Sequence, residues 1–517
     1  MPRSSAPPYL VADRAQLLGP PETHGDPITA EAVTAALTDE LSVGFDPASV
    51  VQGAALDTFD RRLAAAGLFL YHVSDPAGQR LVLISEKDGA PLTVPTVDAR
   101  WPALVTALPA GPVRDALAPV ATIRALMVLD EQTHRVRRGA LRDEDQKILV
   151  RFELVEQVTD AAASTWLSVK PLRGYGNEAR NAVRLLTAAG LRPVQPAPVA
   201  PAPDETGVRP LRIGRSAPAI TLLVAEWSAY LAAMRANLPG VLDDVDTEFL
   251  HDVRVAVRRT RSTLKLGRPA LPEGVSERWE PAFKWLGDLT TPVRDLDVYE
   301  LGLPEMAGWL VAAEAADLRP FADQLRRHRS AARRSLVRGL RSARFRTTLE
   351  DWADTLAGLS GPALAHAPKL AVGTLANRSI GRAYRRVVRD GAAIGPGSPA
   401  EALHSLRKRC KELRYALELF APVSDDTAGK RVVADLKELQ NVLGRFQDSD
   451  VQQQTLYGFA EQMRAAHAPT RALLAMGELV AHLGVDQRRA RADFDRAFAR
   501  FSRPAGRDRI RLVRVGR

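Results

Sequence analysis

Cysteine occurs once in the 517 residues, at Cys410, so no internal disulfide can form, which suits a reducing compartment. Aromatic residues are sparse, at 6% of the chain. Ala, Leu, Val and Arg dominate instead, a bias that favours helix over sheet. No apolar run approaches the roughly 18–20 residues that cross a bilayer. The opening Met1–Leu10 lacks the basic-then-apolar layout of a secretory signal. A soluble, cytoplasmic protein with no membrane contact is therefore expected. With 46% hydrophobic and 26% charged residues the composition is globular rather than disordered, and the length implies two to four domains.

The charge is unevenly placed. Residues 1–200 hold 20 Lys/Arg against 23 Asp/Glu, so of the chain's 71 and 61 the remainder holds 51 against 38. All of the +10 net charge thus lies beyond residue 200. One half of the chain has the electrostatics of a polyanion binder, for nucleic acid, an anionic surface or a phosphate polymer.

Pro193, Pro196, Pro198, Pro201 and Pro203, interleaved with Ala and Val, mark a semi-rigid spacer between the halves. Before it, Ser42 to Val194 alternates like a sheet. Leu81–Ile84, Ala121–Leu129 and Ile148–Val158 are strand candidates, with turn signals at Asp75–Gly78 and Asp88–Gly89. Helices are expected near Glu31–Glu40 and Asn177–Ala189, giving an α+β domain. Gly174-Tyr-Gly-Asn-Glu-Ala fits a loose dinucleotide pattern, but no acidic residue follows about 20 positions on, so it reads as a glycine turn.

Beyond the spacer a 3.6-residue period takes over. Helices are expected over Ala219–Asn237, Asp244–Leu266, Arg278–Leu286, Asp295–Leu301, Pro320–Leu340 and Phe345–Leu356. A further set covers Lys369–Arg389, Pro399–Phe420, Ala428–Leu443, Asp448–Ala466 and Thr470–Phe501. This half repeats. A gapless shift of 153 residues lays His251 on His404, Arg254 on Arg407, Arg258 on Lys411 and Arg261 on Arg414. It also lays Lys284 on Lys437, Asp295 on Asp448 and Asp297 on Asp450.

In the first copy His251, Arg254, Arg258, Arg261 and Lys265 sit at offsets 0, 3, 7, 10 and 14, one stripe of a helix about 20 Å long. His404, Arg407, Lys411 and Arg414 repeat the stripe beside Lys408. Arg378, Arg382, Arg385 and Arg389 form another, whereas Arg326 to Arg334 scatter round their helix. Like charges at these spacings disfavour an isolated helix by a few tenths of a kcal/mol per pair. A basic helix face is in most proteins a solvated surface, and Asp252 or Glu412 offers internal partners here. Repetition in register argues instead for an anion, held by guanidinium forks and mobile lysines. Asp295, Asp297, Asp448 and Asp450 read as helix-start carboxylates or as partners of the basic stripe.

The two signatures His251-Asp-Val-Arg-Val-Ala-Val-Arg-Arg-Thr-Arg and His404-Ser-Leu-Arg-Lys-Arg-Cys-Lys-Glu-Leu-Arg-Tyr resemble those of the CHAD family, the conserved histidine α-helical domain. Val293-Arg-Asp-Leu-Asp-Val and Leu443-Gly-Arg-Phe-Gln-Asp-Ser-Asp-Val fit its closing elements. The resemblance covers about residues 215–505. It implies two four-helix bundles about a pseudo-twofold axis, with a basic central groove that binds inorganic polyphosphate. The site residues it implies are His251, Arg254, Arg258, Arg261, His404, Arg407, Lys411 and Arg414, with Arg378, Arg382 and Arg385 as further wall; Lys265 and Lys408 on the same helices are expected to join them.

The N-terminal half resembles a degenerate CYTH domain, the triphosphate-tunnel fold, through Asp57-Thr-Phe-Asp-Arg-Arg-Leu, Leu117-Ala-Pro-Val-Ala-Thr-Ile-Arg and Val150-Arg-Phe-Glu-Leu-Val-Glu. The Glu-x-Glu-x-Lys strand that holds metal in active members is missing; the nearest stretch is Tyr9-Leu-Val-Ala-Asp-Arg. Basic strands are replaced by Phe69-Leu-Tyr-His and Ala125-Leu-Met-Val-Leu, leaving Glu153, Glu156 and Lys170 as remnants. The expectation is a CYTH-like domain at 1–192, a linker at 193–210, a CHAD domain at 211–505 with repeats at about 215–355 and 369–505, and a basic tail at 506–517. Its expected role is non-enzymatic polyphosphate binding, in the cytoplasm and at polyphosphate granules, with no cofactor. A hydrolase working through the first half with a divalent metal, or an RNA or DNA binder, are the alternatives.

Overall fold

The computed structural model describes residues 15–20, 27–37, 42–87, 91–96, 99–158, 164–194, 213–360, 369–424 and 426–515. Tyr9–Arg14, Asp88–Gly89 and most of the proline-rich run lie outside the described residues. The chain divides into two compact units, Met1–Gly207 and Val208–Arg517.

The first unit is one antiparallel sheet with helices on its outer face. Along the sheet run β11 (Arg192–Val194), β1 (Gln16–Gly19), β10 (Thr165–Pro171), β9 (Ile148–Gln157), β8 (Ala125–Arg142), β3 (Ser49–Thr58), β4 (Leu68–Asp75), β5 (Gly78–Ser85) and β6 (Leu92–Thr96). The short β2 (Ser42–Phe45) and β7 (Ala103–Leu104) also pair with β8. Pro193 therefore begins the proline-rich run from inside a strand, not from a linker, where it pairs with Leu18 at the sheet edge. The expected strand Ala121–Leu129 is in part helix. Pro112 opens α3 (Pro112–Ala121), whose Val113, Leu117 and Ala121 are buried at helical spacing, and the strand starts only at Ala125.

Alternation sets two faces. Outward residues of the strands pack under α1 (Ala30–Leu37) and α4 (Gly176–Ala188) at one end, and under α2 (Arg62–Ala65) and α3 at the other. Inward residues form a separate cluster of Leu17, Val51, Tyr71, Val73, Val82, Val136, Val155 and Trp166, drawn from seven strands, with Phe69 and Ile84 against it. Among the described residues no helix contributes to that cluster, yet its eight named members are buried. The sheet covers this face by curling across itself, and the same alternation sets His134, the Arg138–Glu153 pair and the Arg80–Asp75 pair on it beside the apolar members. Asp57 and Asp60 of the sequence motif lock the first turn: Asp57 accepts from the backbone N–H groups of Leu63 and Ala64, and Asp60 faces the buried Arg124 at 3.5 Å.

The second unit is helical: α5 (Ala219–Asp243), α6 (Thr247–Gly267), α7 (Val275–Ala307), α8 (Arg319–Leu340) and α9 (Ala343–Ser360), then α10 (Val372–Ala392), α11 (Ala400–Leu419), α12 (Asp426–Ala465), α13 (Thr470–Ser502) and α14 (Pro504–Val515). Each copy thus has five described helices rather than four. The fifth pair, α9 and α14, packs on α5 and α10 respectively. Residues 506–515, expected as a tail, belong to α14, because Ile510 and Val513 are 3% and 1% exposed. The starts of α5 and α6 map by the 153-residue shift onto the starts of α10 and α11. Two backbone bonds, Ala219 N–H to Leu370 O at 2.8 Å and Val372 N–H to Ala217 O at 2.9 Å, are images of each other under that shift. Such reciprocity is the mark of a twofold relation between the copies.

Two expected helix pairs are single helices. α7 runs through Pro292, and α12 through Gly444, where breaks were expected. Burial on both flanks, at Leu286, Thr290 and Val293 in α7, outweighs the one bond that proline removes. Asp295, Asp297, Asp448 and Asp450 are therefore not helix-start carboxylates but stand within helices.

Candidate anion-binding cleft

The basic stripe of α6 begins at a well-defined helix start: the Asp246 side chain accepts from the backbone N–H of Glu248 and of Phe249 at 2.9 and 3.3 Å. Val253, Ala256, Val257 and Leu264 then bury one face, leaving the cationic face beside α11. The second stripe stands on α11 above buried Leu403, Leu406, Cys410 and Leu413. Burial pushes the Cys410 thiol up to about 12, so it packs as a small hydrophobe.

Between the copies lies a cleft of about 650 Å³. Arg258, Arg261 and Lys265 of α6 line it, with Arg378, Arg382 and Arg386 of α10 and Lys408 and Lys411 of α11. Eight cations thus face one carboxylate, Glu412. Tyr415 is the aromatic residue of the wall, and it is 8% exposed.

The expected site residues divide by position. Arg258, Arg261, Lys265, Arg378, Arg382, Lys408 and Lys411 line this cleft. Arg407 and Arg414 line an adjoining basin that shares Lys411 and includes Lys437. Its image in the first copy holds Arg261, Lys265 and Lys284. Arg385 is on the opposite flank of α10, in a basin with α14. His251, Arg254 and His404 do not line the cleft. Arg254 donates to the hydroxyls of Thr291 and Thr290 at 2.8 and 3.2 Å, tying α6 to α7. Burial and the neighbouring Arg294 hold the His251 imidazole below its usual range. His404 Nδ1 is 2.6 Å from Gln447 Oε1. These three lie toward the N-terminal ends of the two stripes, away from the residues that line the cleft.

Arg386 was missed in the sequence because it belongs to the i, i+4, i+8 row from Arg378, not to the 0, 4, 7, 11 stripe. The two rows diverge round α10, one facing the cleft and the other facing α14. Of the four aspartates, Asp448 takes Arg407 of the stripe at 2.8 Å, Asp297 takes Arg329 of α8 at 2.6 Å, and Asp450 accepts from the Gln487 side chain at 3.0 Å. Of the scattered arginines of α8, Arg329 and Arg333 both pair with Asp244, while Arg326, Arg327 and Arg334 are exposed.

Lys411 is the most strained cation of the group. Burial, then the adjacent Arg407 and Arg258, bring its ammonium down to about 8. Arg258 is the image of Lys411 under the repeat, so the two cations repel across the pseudo-twofold axis.

That axis does not generate a second equal cleft. The shift carries Arg378, Arg382 and Arg386 onto Ala225, Ala229 and Ala233 of α5, and Lys265 onto Glu418. Glu418 there accepts from Arg259 at 3.4 Å and faces Arg414 at 3.4 Å, while Tyr230 donates to Glu226 at 2.6 Å. One side of the axis is cationic and open, the other closed by its own pairs.

In the first unit, Glu153 lies 3.5 Å from Arg138 and Glu156 lies 3.2 Å from Arg135, so both remnants are in cross-strand ion pairs. Among the described residues no group of three or more His, Cys, Asp or Glu gathers in reach of one ion. No helix of the described residues is long and apolar enough to cross a membrane.

Residues 225–457 match the family model of the CHAD domain. An uncharacterized protein of Mycobacterium tuberculosis is 31% identical over 218 residues, 40% of this chain and 39% of that protein. The match thus spans about two fifths of this curated relative's length. Among solved structures, the CHAD domain of the plant Ricinus communis aligns at 22% identity and a TM-score of 0.47, over 60% of this chain and 97% of its own. A putative adenylate cyclase of Bacillus halodurans aligns at 14% and 0.25, over 35% of this chain and 93% of its own.

Proposed function

We propose, for a chain that carries a CHAD domain at residues 225–457, that its helical unit binds inorganic polyphosphate in the cleft between the two copies. The observation that carries this reading is the ratio of eight cations to one carboxylate around a single cleft. Fixed cations held apart by packing are set up for a ligand that brings one negative charge per short repeat, as a phosphate polymer does. Arginine forks supply paired donors for phosphate oxygens, and the lysines adjust to the remainder. Nucleic acid fits less well. Single-strand binders stack bases on exposed aromatic rings, and the one aromatic ring of this wall is buried.

The first unit is a scaffold in this reading. Hydrolysis of a triphosphate needs carboxylates for metal and cations for phosphate lining one cavity. On the inward face of the sheet Tyr71, Val73, Val136 and Trp166 cluster, and the carboxylates beside them, Asp75 and Glu153, are paired with Arg80 and Arg138.

The test is binding of long-chain polyphosphate to the full chain, with RNA as competitor at fixed salt. The double variant Arg258→Ala, Lys411→Ala removes the two equivalent cations at the axis and is expected to weaken binding at least tenfold and flatten its salt dependence. Arg254→Ala, whose guanidinium is engaged by Thr290 and Thr291, should act on stability more than on binding. Undiminished binding by the double variant defeats the proposed site, and displacement by RNA at equal charge defeats the choice of polymer.

A further inference from the structure

α10 presents arginines on two flanks, and the cleft uses one of them. On the other, Arg382, Arg385 and Arg389 at offsets 0, 3 and 7 face Arg507, Arg511 and Arg514 of α14 at offsets 0, 4 and 7, around a basin of about 720 Å³. No carboxylate lines it. Arg385, Arg507 and Arg514 have no acidic partner within 4 Å among the described residues, and Arg514 Nε is buried without a hydrogen bond. Arg389 and Arg511 have only the neighbouring Asp390 and Asp508.

The basin is built rather than accidental. α14 is fixed by buried Ile510 and Val513, by Arg509 on Asp435 at 2.9 Å, and by Arg215, whose guanidinium donates to the Arg514 carbonyl at 2.5 Å. Gly381 of α10 lets the Arg514 side chain lie against the helix; a Cβ there would stand 3.0 Å from the guanidinium carbon. Packing thus holds two rows of arginine side by side, with Asp390 and Asp508 as the carboxylates that reach them.

Arg382 and Arg386 line both this basin and the cleft. The cationic surface is therefore continuous round α10. The first copy lacks it, having Ala229, Ala232 and Ala236 where the second has Arg382, Arg385 and Arg389.

We infer that the α10–α14 basin is a second phosphate seat, which takes the continuation of the same chain that occupies the cleft. This rests on the polyphosphate reading and adds chain-length discrimination to it. A short oligophosphate fills the cleft alone, while a long chain wraps α10 and engages both. Tyr384, the aromatic of the basin, is 7% exposed with its ring against Phe501, which again favours a polymer without bases.

The experiment compares tripolyphosphate with a chain of several hundred phosphates on the full-length protein, across a salt series. The variant Arg507→Ala, Arg511→Ala is expected to lose tenfold or more in affinity for the long chain. Its log affinity against log salt should flatten by about 2, roughly one per cation removed. Its affinity for tripolyphosphate should stay as in the parent. Arg385→Gln, Arg389→Gln, which leaves α14 untouched, is expected to reproduce this, and so guards against misfolding of α14. Long-chain affinity and slope unchanged in both variants overturn the second seat while leaving the cleft standing. A parent protein that binds neither ligand overturns both.

Discussion

Lys411→Met separates what the cleft does for binding from what it does to the fold. The ammonium sits among Arg407, Arg258 and Arg414, with Asp448 as its counterweight, and has come down from 10.5 to about 8. In the folded state the charged form is therefore disfavoured. Between pH 8 and 10.5 the unfolded chain holds more protons than the folded one, so this group's contribution to stability rises with pH across that window. Methionine keeps the apolar stem and removes the charge. We expect the variant to be more stable at pH 7 by about 1 kcal/mol, after discounting for the solvent that still reaches the side chain. That is a rise in Tm of about 2 °C for a unit of this size.

Binding has the opposite sign. Phosphate oxygens beside Lys411 restore the charged form, so the bound state has the higher pKa. Affinity should be nearly flat below pH 8 and then fall about tenfold per unit until the bound-state pKa is passed. Titration calorimetry in two buffers of different ionisation heat reads this directly. The parent should take up about half a proton on binding at pH 8 and close to one at pH 9. The Lys411→Met protein should take up none in that window and bind about tenfold more weakly at pH 7. A parent whose binding heat is independent of the buffer at pH 8–9, or uptake that survives in the variant, refutes the assignment.

Three further outcomes are expected. Trp352 is wholly buried against Trp227, Trp279 and Phe283, at ring separations of 5.5, 4.8 and 5.2 Å, and Trp352→Ala should cost about 3–5 kcal/mol in urea unfolding. Asp435 holds Arg509 at 2.9 Å with Arg500 and Arg503 nearby; Asp435→Ala should cost about 1–2 kcal/mol, the arginines being partly exposed, and speed hydrogen exchange in α14 before the rest. Glu418→Gln should release Arg259 and Arg414 from the closed side of the axis and raise polyphosphate affinity about two- to fivefold.

The helices were legible because each carries its own period, and the repeat was legible because charge and apolarity recur together. The continuity of α7 and α12 was not. Pro292 and Gly444 are local signals against helix, and the burial that outweighs them is contributed by neighbours far along the chain. The stripe on α6 was correctly gathered onto one face, but a stripe of offsets 0 to 14 is longer than the cleft it serves. His251 and Arg254 lie at its far end, where α7 offers Thr290, Thr291 and Arg294 as company. On α10 the spacing alone could not choose between two arginine rows a few tens of degrees apart. Only the positions of α6, α11 and α14 show that Arg386 reaches both the cleft and the basin while Arg385 reaches the basin alone. In the sheet, the apolar character of β4 and of the start of β8 was visible in the sequence; that Tyr71 and Trp166 meet in one buried cluster was not.

The divergence between the copies has a physical logic of its own. Duplication places Arg258 and Lys411 face to face at the axis and would place two equal clefts beside them. Two open cationic clefts back to back would double the like-charge repulsion that already depresses Lys411. They would also leave both in need of counterions whenever no ligand is bound. Replacing the arginine row by Ala225, Ala229 and Ala233 on one side, and setting Glu418 between Arg259 and Arg414, removes that burden from the first copy. The charge is then concentrated where α10 can pass it on to α14. A polymer bound at the axis, as proposed, would gain nothing from symmetry, since it is a single strand with two ends. It gains from a continuous surface on one side. The arginines of α10 and the carboxylate of α11 are two halves of one arrangement, which leaves one side of the axis cationic and neutralises the other from within.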